Sequence, residues 1–117
     1  MLYLALIIFV VVFLGGLLLA YRHFTHDTVP ITMAMGHGAG GAVGLVVLYF
    51  AAGSIGTTAL WWAFWLYVLA ALGGCSLTIY SRFLGHDAPR LMIVGHGLVA
   101  VLGCTALTLG VLGIVTA

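Results

Sequence analysis

The chain has no lysine, and three arginines and two aspartates are all the formal charge it carries in 117 residues. Charged residues make up 4% of it, against about 25% in soluble domains. So little charge cannot clothe a globule in hydrated surface, and lipid is the expected solvent. The net charge of +1 gives no basic face, which excludes nucleic acid as a partner. Cys75 and Cys104 are the only cysteines, have no partner motif, and are expected to be small apolar fillers. No Ser/His/Asp set, phosphate loop or paired carboxylates occur, so hydrolytic and phosphoryl chemistry have no footing.

Apolar sequence is abundant instead, at 65% of residues with a mean hydropathy of +1.35. Four runs, Leu2–Ala20, Ile31–Ala52, Thr58–Tyr80 and Leu91–Thr116, each reach about the 20 residues that a helix needs to cross a bilayer core. The connectors Tyr21–Pro30, Gly53–Thr57 and Ser81–Arg90 are short, which forces sequence neighbours antiparallel. The expected fold is all-α: one integral membrane four-helix bundle over residues 1–117. Pro30 and Pro89 stand where a proline can start a helix without loss of a hydrogen bond. The alternating segments of a β-barrel are not present. The first run lacks a positive n-region and exceeds a signal peptide's apolar stretch, so a retained helix is expected.

Arg22, Arg82 and Arg90 all fall on the first and third connectors. The positive-inside rule then makes those connectors cytoplasmic, and in a bacterial inner membrane both termini face the periplasm. Tyr3, Trp61 and Trp62 would anchor that periplasmic interface.

Sliding the chain against itself by 59 positions aligns Gly15 with Gly74, Tyr21 with Tyr80, Phe24 with Phe83, Pro30 with Pro89, Met33 with Met92, Gly36-His37-Gly38 with Gly95-His96-Gly97, and Gly44 with Gly103. One inserted residue also aligns His26-Asp27 with His86-Asp87. Matches among Leu, Val and Ala are cheap in such a chain, but matched His, Pro, Met and Tyr are not. Two tandem helical hairpins are implied, repeat 1 at about 1–57 and repeat 2 at about 58–117. Repeats with an even number of spans share an orientation, so the halves are expected to be related by a pseudo-two-fold axis along the membrane normal. His37 and His96 then lie at equal depth and face each other.

An ionisable side chain at membrane depth is costly and usually functional. Beyond each histidine the helix face is small: Gly40, Gly41 and Gly44 after His37, Ala100 and Gly103 after His96. A wide, flat ligand needs that shape, and haem between two axial imidazoles meets it. Met33 and Met92, one turn before the histidines, would pack on the ring. Arg22, Arg82 and Arg90 could pair with propionates. Without a Cys-x-x-Cys-His the haem would be non-covalent, hence haem b. In this pattern the chain resembles the b-type membrane cytochromes, in which histidines of two parallel helices clamp haem and glycines make room for it. That resemblance implies electron transfer, with quinone or a redox partner protein as donor or acceptor. Many such cytochromes stack two haems using a second, deeper histidine pair, which this chain does not have.

Bland alternatives stand beside this. Glycines at 36, 40 and 44 also form a small-xxx-small series that means helix packing, or a homodimer. Either histidine alone could simply bond a carbonyl on a neighbouring helix. His26, Asp27, His86 and Asp87, with His23 nearby, could be solvated or capping residues; they could also form a second site for Zn²⁺, for propionates or for a quinone head group, the last together with Tyr21 and Tyr80. Tyr49, Trp65, Tyr67 and the phenylalanines are expected to face lipid or pack. Rival functions are a divalent-metal (copper or zinc) transporter or binding protein, and a non-catalytic anchor subunit of a respiratory complex.

Overall fold

A computed structural model of the chain describes residues 1–25 and 28–113. Among these the fold is all-helical: α1 (Leu2–Phe24), α2 (Ile31–Ile55), α3 (Thr58–Thr78), which runs on through a π-helical turn (Ile79–Phe83), and α4 (Arg90–Val111). Each of the four spans is long and apolar enough to cross a membrane. The body measures 44 × 23 × 21 Å.

Helix ends follow from local chemistry. α1 continues past Ala20 because Arg22 and His23 suit the negative end of a helix, and it stops where the Thr25 hydroxyl donates to the carbonyls of Tyr21 and Arg22. Pro30 and Pro89 stand one position before their helices in extended conformation, and their carbonyls accept the first amides of α2 and α4. α2 ends on Gly56 at φ 75°, a left-handed stop that glycine takes without penalty. α4 stops at Val111, short of the Thr116 expected from the apolar run, and residues 114–117 lie outside the described set.

The π turn was not expected. Leu84 N–H donates to Ile79 O at 3.1 Å and His86 N–H to Tyr80 O at 3.3 Å, around Gly85 at φ 69°. Hydroxyls of Thr78 and Ser81 add bonds to the carbonyls of Gly74 and Leu77 where the helix widens. Ser76, Thr105 and Thr108 likewise bond back within their own helices. In hydrocarbon no water is available to satisfy these groups, so the helices turn almost pure carbon outward.

The helices form a ring in which each packs on its sequence neighbours and α4 closes on α1, most loosely of the four seams. Across the middle, α1 faces α3 and α2 faces α4. Packing is uneven along the axis. Ala5, Leu48, Ala52, Leu60, Ala63 and Leu107 are buried in the half holding the α2–α3 connector, called here the far end. In the opposite half, toward the two long connectors, no described residue of α1 beyond Phe9 or of α2 before Gly44 is fully buried. Lipid tails are as apolar as leucine, so the tight half is held by close packing rather than by expulsion of water.

Candidate functional site

His37 on α2 and His96 on α4 face each other across the looser half, with ring centres 6.1 Å apart and planes at 73°. Both are half-buried. His37 Nδ1 lies 2.9 Å from the Val12 carbonyl of α1, and His96 Nδ1 lies 2.8 Å from the Ala70 carbonyl of α3. A carbonyl only accepts, so each Nδ1 carries the proton and donates it. In its neutral form a ring held this way keeps its lone pair on Nε2.

Glycines on the neighbouring helix allow this contact. A Cβ at Gly16 would stand 2.9 Å from His37 Cε1, and one at Gly74 would stand 3.3 Å from His96 Cε1. Gly15 and Gly73 flank the same rings at 3.9 and 3.5 Å. The sequence had pointed to glycines on the histidines' own helices; the glycines that seat the rings are on α1 and α3.

The own-helix glycines divide in two. Gly36, Gly38, Gly41, Gly95 and Gly97 have open space where a side chain would be. Gly40, by contrast, meets Val12 at 2.9 Å, Gly44 meets Phe9 at 3.0 Å and Gly103 meets Tyr67 at 3.3 Å. At these three positions smallness serves packing. Phe9 and Tyr67 stack face to face between α1 and α3, 3.6 Å apart and within 4° of parallel, and they close the axis beyond the histidines. Tyr67 is thus a core residue, only 7% exposed. Its buried hydroxyl has no hydrogen-bond partner and lies beside the Cys104 thiol.

Equivalent contacts recur at two offsets. His37/His96, Gly44/Gly103 and Leu48/Leu107 stand 59 positions apart, but Phe9/Tyr67, Gly16/Gly74 and the two anchoring carbonyls stand 58 apart. Gly15 therefore matches Gly73, one residue away from the match that the 59-position slide gives. A π-helical turn holds one residue more than an α-helical one, and this one, Ile79–Phe83, contains Tyr80 and Phe83, which stand 59 positions after Tyr21 and Phe24.

Met33 and Met92 are half-buried one turn before the histidines. At the connector end, Arg22 Nε donates to Thr28 O at 3.1 Å and Arg82 Nη2 to Val29 O at 2.6 Å. Arg90 is exposed at the start of α4. The ring of His86 lies 5.1 Å from that of Tyr80, and both His86 and Asp87 are exposed. His26 and Asp27 lie outside the described residues. Among the described residues no three His, Cys, Asp or Glu side chains are grouped to hold a metal ion. His23 sits edge-on to Phe24, 5.7 Å away.

No family model, curated protein or solved structure matches the chain. Its function is therefore argued from the site itself.

Proposed function

We propose that the chain is a b-type membrane cytochrome in which His37 and His96 ligate the iron of one haem, and that it transfers single electrons. The observation that carries this is the pair of Nδ1–carbonyl bonds to Val12 and Ala70, which leaves two Nε2 lone pairs on facing helices. Imidazole ligands are commonly oriented this way, with the other nitrogen donating to a backbone carbonyl. The rings stand 6.1 Å apart.

Bound haem would supply a reversible one-electron couple. The chain's own contribution is to fix two imidazoles, to keep side-chain bulk away at Gly41, and to offer guanidinium groups at the connector end. Arg22 and Arg82 each give one N–H to a connector carbonyl and keep further donors for propionates. The repeated anchor, one carbonyl and one glycine pair per histidine, supports a duplicated hairpin with pseudo-two-fold symmetry. The one-sided arginines support an inner-membrane topology with the long connectors cytoplasmic and both termini periplasmic. Quinol or a redox protein at that side would exchange electrons with the site.

The test is an optical spectrum of detergent-purified protein, air-oxidised and then dithionite-reduced, for wild type, His37→Ala and His96→Ala. A Soret band with sharp reduced α and β bands, lost or altered in both variants, is the expected result. A colourless wild type produced with ample haem would refute it.

A further inference from the structure

The geometry points to a one-ended vestibule: water and small hydrophilic reactants reach His37 and His96 from the connector end, and the Phe9–Tyr67 stack is a septum that bars them from the far end. This goes beyond the proposed cofactor, since it concerns access to the histidines whatever they bind.

Three features carry it. The stacked rings leave no room for water between them at 3.6 Å. Each also lies over a glycine of the other diagonal: a Cβ added at Gly44 would stand 3.0 Å from the Phe9 ring, and one added at Gly103 would stand 3.3 Å from the Tyr67 ring. The plug thus touches all four helices at one level. Beyond it Ala5, Leu48, Leu60, Ala63 and Leu107 are fully buried, and from Phe9 back to Leu2 the helix adds roughly 12 Å of dry wall at about 1.5 Å per residue. An internal water needs two to four polar partners, and the described part of this region offers two unpartnered buried hydroxyls, that of Tyr67 beside Cys104 and that of Thr57 ten residues earlier, at the start of α3. On the other side of the septum no described residue of α1 or of α2 is fully buried. The histidines are half-buried only six residues from the starts of their helices, a Cβ at Gly41 would meet nothing within 4 Å, and the connector end carries Arg22, Arg82 and the exposed His86.

A donor or acceptor that depends on water therefore works from the connector compartment alone. The same septum leaves a transported ion no way through, which sets the arrangement apart from a metal channel.

Thiol labelling tests this on the full, haem-free chain in sealed vesicles of both orientations. With Cys75→Ser and Cys104→Ala as background, Gly41→Cys places a reporter in the open space beside His37, and Thr28→Cys marks the connector face. A charged thiol reagent that cannot cross lipid should label Gly41→Cys from the face that labels Thr28→Cys about tenfold or more faster than from the other, because only a hydrated thiol ionises and reacts. Leu48→Cys, just beyond the stack, should stay unlabelled from the connector face in the parent and become labelled from that face once Tyr67→Ala removes one ring of the stack. Equal labelling of Gly41→Cys from both faces, no labelling of it from the connector face, or labelling of Leu48→Cys from the connector face with Tyr67 in place would each overturn the inference. No haem is needed for the readout, so a colourless protein would sink the cytochrome proposal and leave this one standing. Shielding of Gly41→Cys by added haem would instead tie the two together.

Discussion

Gly16→Ala isolates the seat of His37. The added methyl would stand 2.9 Å from His37 Cε1 and 3.6 Å from both ring nitrogens, about half an ångström inside ordinary contact. The ring cannot swing away without losing its 2.9 Å bond to Val12 O. Overpacking of this kind costs about 1–3 kcal/mol, and replacing a helical glycine by alanine returns about 1 kcal/mol. Folding stability should fall by about 1 kcal/mol. Ligand affinity suffers more directly, because moving the ring displaces Nε2 or sacrifices a hydrogen bond worth about 1–2 kcal/mol. That amounts to roughly five- to thirtyfold weaker haem binding. Gly74→Ala is the internal comparison: its methyl would stand 3.3 Å from His96 Cε1, so a shift of a few tenths of an ångström suffices and binding should stay within about threefold. Gly38→Ala, with nothing within 4 Å, is the control for helix propensity alone. Haem titration of the three apo-variants in one detergent, with unfolding in mixed micelles beside it, reads both effects. Equal affinity for Gly16→Ala and Gly38→Ala would refute the idea that the α1 glycines seat the ligand.

Other perturbations separate the remaining contacts. Tyr67→Phe keeps the stack and removes a buried hydroxyl that has no partner, so stability in mixed micelles should rise by about 1 kcal/mol rather than fall. Leu48→Ala and Leu107→Ala, both at fully buried positions, should each lower stability by about 2–5 kcal/mol while leaving the haem spectrum unchanged, since they lie beyond the septum. Arg82→Gln loses a 2.6 Å bond to Val29 O; being exposed, it should cost under about 1 kcal/mol, and its clearer effect should be faster hydrogen exchange in the first connector.

Much of this was legible from residue types alone. Four spans, three connectors and a facing pair of histidines follow from hydropathy and from matched His and Pro residues, because lipid punishes any departure from those patterns. The anchors of the histidines were not legible, since Val12 and Ala70 act through backbone carbonyls, which every residue has. The Phe9–Tyr67 stack was hidden by phase. A single 59-position slide sets Phe9 against Val68, and only the inserted residue of the π turn explains why its counterpart is Tyr67. Gly44 and Gly103 looked like room for a ligand, whereas each receives an aromatic ring from the next helix; composition cannot tell an empty notch from a filled one.

A helix that widens for one turn takes up an extra residue without passing it on. Ala70 and Gly74, which hold His96, come before the widened turn, and Arg82 comes at its end. Length can thus be gained or lost between Ile79 and Phe83 while the histidine's seat keeps its register. Removing one residue there would turn Arg82 by about 100° around the helix and point it away from Val29. The two ends of α3 are in this sense free to change separately: one is tied to the histidine and the other to the mouth, with a slip joint between them.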